Sequence, residues 1–268
     1  MSNALSKKLH GLRAILKFDN WIQLILNRTI FRHTSLNVYR LGKLEIVIDH
    51  TSGDENGARL LLTTPLYSDL LEKMKFPHRL SVLDLGANIG GFPLMLQNLG
   101  AALEKVVCVE FNPNTFSRMR FNLERNLLCK EFMPLNIAVT GDYRSVVLPL
   151  SGGGTGESIY GMNTNQLDLV HQIEGIPFDA IYERSFGENT VDICKIDIEG
   201  AEYEVFALPH HETLRLCRWL LIEIHTRPGK ISADVLNELK RLKFVLVGTS
   251  PLESCVHLFE NSNPPTQG

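Results

Sequence analysis

Ten residues constrain this chain more than any others: Val82-Leu83-Asp84-Leu85-Gly86-Ala87-Asn88-Ile89-Gly90-Gly91. An apolar run enters a glycine-rich turn, and Phe92-Pro93-Leu94-Met95-Leu96 continues with a helical pattern. Strand, turn and helix in that order set a nucleotide-type ligand at the carboxyl end of a sheet strand. Pro93 suits a first helical turn, where a missing N–H breaks no bond.

The glycines stand in a D-x-G-x-x-x-G frame. A dinucleotide site needs glycine at the second position of its fingerprint, so that backbone can approach a pyrophosphate. That position here is Asn88. A side chain obstructs a pyrophosphate but not a ligand without phosphate, such as S-adenosylmethionine. The carboxylate of such a ligand can accept from the free N–H groups that open the next helix.

The chain has 268 residues, 44% of them hydrophobic, which is enough for a substantial core. Net charge is −3, so a whole-chain basic footprint for nucleic acid is absent. The five cysteines form no C-x-x-C pair, and Cys108 and Cys194 fall inside apolar runs. They predict a reduced, cytoplasmic setting without a disulfide framework or a zinc site. No apolar run reaches transmembrane length.

Charge is uneven. The first forty residues hold seven Lys/Arg and one acid, Asp19, a balance of +6 that leaves −9 for the remainder. Leu5, Leu9, Leu12 and Leu16 share a helical face, and a second helix is expected through Ile30. The expectation adopted is a helical appendage packing on an acidic catalytic part. A membrane-surface contact, a docking helix and a targeting segment are the sharper alternatives.

Two parts follow: an N-terminal extension over 1–77, and a domain over 78–268 with an insert at about 140–190. The extension carries helices, a strand at 44–49, a turn at 52–57 and a helix near 67–75. Beyond residue 80, strands at 81–85, 106–110, 135–139, 193–197, 220–224, 244–247 and 256–259 alternate with helices at 93–99, 114–126, 201–207 and 233–242. Near-continuous apolar strands in alternation predict a mostly parallel α/β sheet covered on both faces. The insert, with a short strand at 146–150 and the turn-rich run 151–157, reads as a lid or substrate-binding segment.

Acids end three strands. Glu110 lies 20 residues past Gly90, where a carboxylate can take two hydrogen bonds from a ribose diol. An N-cap for the following helix is the plainer role. Alternation puts Ile193, Lys195 and Asp197 on one side of their strand, and Glu199 follows. Glu223 and His225 share a face of the next strand. If the two strands are neighbours, Asp197, Glu199, Glu223 and His225 gather over the ligand edge. Such a cluster needs something positive: a sulfonium, a divalent metal or Lys195. Glu202 reads as a helix cap. His210-His211-Glu212 is read as a solvated helix start, since adjacent residues do not share a helix face.

Together these stretches resemble the FkbM family of S-adenosylmethionine-dependent methyltransferases. Residues 82–91, 107–112, 136–139, Leu221-Ile222-Glu223 and above all Lys195-Ile196-Asp197-Ile198-Glu199-Gly200-Ala201-Glu202 carry the likeness. The resemblance implies a seven-stranded Rossmann-like sheet with its last strand antiparallel, and O-methylation of a hydroxyl on a sugar, polysaccharide or secondary metabolite. Asp84, Gly86 and Gly90, with Ala87 and Asn88 in the same turn, then line the methionine end. Glu110 takes the ribose, and Phe111 and Asn112 border the adenine.

An alcohol needs a general base or a metal to become a nucleophile. Asp197, Glu199 and His225 are the base candidates, and Lys195 belongs to the same catalytic group. In a metal version, Asp197, Glu223 and His225 hold Mg²⁺ or a similar ion. The expected partner is a small-molecule or saccharide acceptor, not nucleic acid. An NAD-binding oxidoreductase is the alternative enzyme, and a non-catalytic methyltransferase-like scaffold is the third reading.

Overall fold

A computed structural model describes residues 11–31, 35–74, 76, 78–149, 159, 170–207 and 212–264 of the chain. Its strands are β1 (Leu36–Leu41), β2 (Leu44–Asp49), β3 (Leu80–Leu85), β4 (Leu103–Val109), β5 (Cys129–Leu135), β6 (Ala138–Thr140), β7 (Arg144–Pro149), β8 (Val170–Pro177), β9 (Val191–Ile196), β10 (Cys217–Glu223), β11 (Phe244–Thr249) and β12 (Val256–Asn261). The main helices are α1 (Trp21–Thr29), α2 (Gly91–Asn98), α3 (Pro113–Asn126), α4 (Phe178–Phe186), α5 (Glu202–Val205) and α6 (Ser232–Arg241).

Seven strands form one sheet in the spatial order β5-β4-β3-β9-β10-β12-β11. All neighbours from β5 to β10 run parallel, and β12 is antiparallel to both β10 and β11. This is the mostly parallel α/β sheet that the alternation required. The order reverses between β3 and β9, which makes their carboxyl ends the switch point where such sheets bind ligands. No described helix is long and apolar enough to cross a membrane.

Alternation along each strand feeds two cores. Val82, Ile193 and Leu221 face one cluster, and Leu83, Cys194 and Leu220 face the other. The second cluster is closed by α4, through Phe178 and Tyr182, and by α6, through Val235 and Leu239. The first is closed by α2 and by residues that precede position 77, among them Phe18, Tyr39, Ile46, Ile48 and Leu70. Each such buried side chain contributes about 1.5–3 kcal/mol, so the early residues are a wall of the core.

Polar contacts fix that wall. Asn122 on α3 is fully buried. Its Oδ1 accepts from the Val47 N–H at 2.8 Å, and its Nδ2 donates to the carbonyls of Val47 at 3.0 Å and Ile89 at 3.1 Å. Asp54, also fully buried, receives two bonds from the Arg118 guanidinium. Gly91 opens α2 against Gly57, whose carbonyl oxygen lies 2.0 Å from where a Gly91 Cβ would be.

Three expectations change. The strand expected at 135–139 splits: Cys129–Leu135 is the sheet edge, and Ala138–Thr140 joins a separate three-stranded sheet with β7 and β8. The edge strand is half exposed and contains Pro134, so it lacks the apolar run of a central strand. Second, the latter part of the insert is not a cover, because β8 leads into α4, whose buried face completes the core. Third, Leu12 and Leu16 point outward, while Ala14, Ile15 and Phe18 turn inward. Leu5, Leu9, the 151–157 run and His210-His211 lie outside the described residues.

Replacing Asn122 by leucine removes three bonds and strands buried backbone groups. We expect a loss of about 3 kcal/mol in denaturant unfolding, with the slope of the transition unchanged.

Candidate active site

After β3 the chain turns through Gly86, Asn88 and Gly90, all with positive φ. At position 86 the reason is close approach as well as φ: a Cβ would lie 1.7 Å from the Asp197 carbonyl oxygen. The turn therefore rests on the end of β9. Asn88 has φ +49°, a conformation that asparagine tolerates. Its Oδ1 accepts from the Ile89 N–H at 2.8 Å and packs on Gly57, where a Cβ would come within 2.3 Å.

The turn opens onto a cavity of about 230 Å³ at the carboxyl ends of β3, β4, β9 and β10. Gly86, Ala87, Asn88, Glu110, Phe111, Asn112, Lys195, Asp197, Glu199 and Glu223 all line it. Asp84, Gly90 and His225 do not. Asp84 is wholly buried, and Gly90 precedes α2, where a Cβ would meet Leu123 at 2.7 Å. Gly57, Leu60, Leu61, Leu66 and Tyr67 complete the lining from the N-terminal side.

Glu110 sits one residue past β4 and is 5% exposed. Its Oε2 accepts from the Asn88 N–H at 3.0 Å and its Oε1 from the Asn112 N–H at 2.9 Å. Burial pushes its carboxyl up to about 8, against the pull of those amides. The Asn112 side chain caps α3, accepting from the N–H groups of Asn114 and Thr115. Capping of the helix thus falls to Asn112, and the plainer role weighed for Glu110 is filled by its neighbour.

Lys195 stands at the centre. Its Nζ lies 3.1 Å from Asp197 Oδ2 and 3.4 Å from Asp84 Oδ1, and it donates to the Gly86 carbonyl at 3.0 Å. Burial disfavours its charge, but Asp197 and Asp84 outweigh burial and hold its pKa well above the ordinary value. Lys195 is therefore an ammonium that ties the glycine turn to β9. It supplies positive charge among the acids and has no lone pair with which to accept a proton.

Strands β9 and β10 are parallel neighbours with Ile196 opposite Ile222, so the residues just beyond them converge. His225 Nε2 lies 3.3 Å from Glu199 Oε2, 3.5 Å from Glu223 Oε1 and 3.8 Å from Asp197 Oδ1. On its other side, Nδ1 is 2.9 Å from Glu202 Oε1. Burial lowers the His225 pKa, but these carboxylates, Glu202 first, outweigh it and raise the value to about 9. Glu223 is pushed up to about 7 by burial and by Asp197.

Two residues gain roles that sequence reasoning did not give them. Glu202 caps as expected, accepting from the N–H groups of Ile198 and Gly200, but it also grips His225. The Tyr67 hydroxyl bridges Asp197 Oδ2 at 3.3 Å and Glu223 Oε2 at 3.2 Å. Burial keeps it a phenol. Nothing in its neighbourhood of the sequence signals this contact across 130 residues of chain. Among the described residues, Asp197, Glu223 and His225 each offer one donor atom, all within 4.8 Å of one another.

A family model described as the methyltransferase FkbM domain matches residues 84–246, well over half of the chain. The chain belongs to the FkbM methyltransferase family. None of the curated proteins compared matches it. Among solved structures it is similar to the FkbM methyltransferase of Methylobacillus flagellatus KT, at 14% identity and a TM-score of 0.41 over 70% of this chain and 45% of that one. A tRNA (uracil-54, C5)-methyltransferase of Pyrococcus abyssi, solved with S-adenosyl-L-homocysteine, gives 12% identity and a TM-score of 0.43 over 85% and 44%. Trm5 of Methanocaldococcus jannaschii, solved with adenosine, gives 9% identity and a TM-score of 0.45 over 85% and 56%. The chain spans less than half the length of the first two.

Two outcomes follow from the charges. Lys195→Met leaves Asp84 buried without a cation and is expected to cost about 3–5 kcal/mol; adding Asp84→Asn restores part of that in a double-mutant cycle. Glu110, Glu223 and His225 all hold protons more tightly folded than unfolded. The stability they contribute is complete at about pH 4 and is lost as pH rises toward about 9. The unfolding temperature should fall across that range, and Glu110→Gln should flatten the fall below about pH 8.

Proposed function

We propose that this chain is an S-adenosylmethionine-dependent O-methyltransferase acting on a hydroxyl of a saccharide or secondary metabolite. The observation that carries the reading is one cavity with Glu110 at one part of its lining and Asp197, Glu199 and Glu223 at another, at the switch point of the sheet. Glu110 takes the ribose diol, and the turn over Gly86, Ala87 and Asn88 takes the amino-acid end. Phe111 and Asn112 border the adenine.

The acceptor hydroxyl attacks the sulfonium methyl in line. The new C–O bond forms as the C–S bond breaks, and the electron pair of the broken bond stays on sulfur. Positioning the oxygen about 3 Å from the methyl and excluding water supply much of the acceleration. Glu223 is the base in this reading, because it lines the cavity and its carboxyl titrates near neutrality. His225 is an imidazolium at pH 7 and does not line the cavity, so it holds Glu199, Glu202 and Glu223 together instead. Asp197 is paired with the Lys195 ammonium, while the Tyr67 hydroxyl is shared between Asp197 and Glu223.

The acid-lined side suits a neutral polyol. Phosphate-rich acceptors are repelled there, which argues for a small molecule or saccharide over nucleic acid.

The approach of Asp197, Glu223 and His225 favours a second version, with a divalent cation. The two carboxylates suit Mg²⁺ while the imidazole leaves the ion's identity open, and Glu202 on Nδ1 would be the outer contact that fixes a ligating histidine. Such an ion would lower the pKa of the acceptor hydroxyl.

The test is methyl transfer from labelled S-adenosylmethionine to a panel of sugars and hydroxylated metabolites. Glu223→Gln should lower kcat by about 10²–10⁴. The rate should rise through about pH 7 as Glu223 ionises, and chelator should leave it unchanged. Loss of activity with chelator, restored by Mg²⁺, selects the metal version. Binding without transfer to any hydroxyl compound defeats both.

A further inference from the structure

The outward side of the N-terminal elements belongs neither to the cavity nor to the core. On α1 only Leu24 is fully buried. Ile22, Leu26 and Ile30, four residues apart, are exposed, with Trp21 and Phe31 beside them. Ile22 is 58% exposed and Ile30 62%. The preceding segment turns Leu12 and Leu16 outward, and β1 adds Leu36 and Val38 on the outward side of its alternation. Scattered exposed apolar residues are ordinary, but this many gathered on consecutive N-terminal elements mark a contact surface.

Its charge identifies the occupant. Arg13 and Lys43 are exposed on the same N-terminal elements, while the Lys17 ammonium donates to the Thr63 carbonyl at 2.5 Å. Asp19, the sole acid of the first forty residues, accepts from the Gly42 N–H at 2.8 Å. The first forty residues sum to +6 and the remainder to −9, although Arg28 and Arg40 are paired with Glu55 and Glu45. In sequence, the residues before Gly11 continue the pattern, with Leu5 and Leu9 at the spacing of Leu12 and Leu16, and Lys7 and Lys8 between them.

We propose that this N-terminal face docks on an anionic lipid surface, lying in the interface without crossing it. Apolar rows bounded by cations, with a tryptophan among them, are the chemistry that inserts shallowly into a bilayer and pairs with acidic headgroups. The acidic remainder of the molecule is repelled by the same surface, which orients the chain with its N-terminal face down. A protein partner would call for shaped pockets and opposite charges set in register. A fluid anionic surface requires neither. Docking on lipid does not depend on the chemistry of the cavity.

The full chain is mixed with vesicles of phosphatidylcholine, and with vesicles in which roughly one-third is phosphatidylglycerol, and floated on a gradient. Binding to the anionic vesicles is expected at low salt, with partition at least about tenfold weaker on the neutral ones and at high salt. Ile22→Asp with Ile30→Asp, and separately Arg13→Glu with Lys43→Glu, should each weaken it by at least about tenfold. These positions are exposed, and an unchanged unfolding temperature verifies the fold. Trp21 emission should shift to the blue with anionic vesicles, and Trp21→Phe should abolish the shift. Three results overturn the proposal: no partition of the native chain on anionic vesicles; equal partition by the aspartate variant; or self-association without lipid that the aspartate variant abolishes, which would make a second copy the occupant.

Discussion

The ammonium of Lys195 is the fixed point of this molecule. It reaches from β9 to Asp84 on β3, to the Gly86 carbonyl in the turn and to Asp197 at the end of its own strand. A buried lysine keeps its charge only where carboxylates surround it, and a wholly buried Asp84 is tolerable only beside a cation. Each group makes the other permissible. The result locks the glycine turn to the strand end from which the other acids project, so turn and acid cluster share one origin.

The early part of the chain completes the same structure from the opposite side. Gly57 packs on both Asn88 and Gly91, Asn122 joins β2 to the start of α2, and Tyr67 spans Asp197 and Glu223. The cavity wall thus depends on residues far apart in sequence. It also explains why a face of these N-terminal elements is left outward: the inward side is spent on the core, through Phe18, Leu24 and Tyr39.

The central sheet was readable because its strands are apolar on both faces and its glycine turn has a fixed frame. The convergence of Asp197, Glu199, Glu223 and His225 was readable from alternation plus one assumption, that two strands are neighbours, and they are. Local rules failed where contacts are long-range. Tyr67 has no motif. The edge strand Cys129–Leu135 carries too much polar surface to look like sheet, and Phe178–Phe186 was hidden behind the turn-rich run before it. Burial decides charge states that sequence cannot show: it makes Glu223 a neutral-range carboxyl, while its acidic neighbours make His225 a cation.

The central claim is that the glycine turn and Glu110 together hold an adenosyl ligand by its ribose. Titration calorimetry of S-adenosylhomocysteine at pH 7, in two buffers of different ionisation enthalpy, measures it directly. A ribose diol donates to the ionised carboxylate, so binding should draw the proton from Glu110 and release close to one proton per ligand, and Glu110→Gln should abolish the release. Absence of binding by folded protein, or binding with no proton released, would contradict the account.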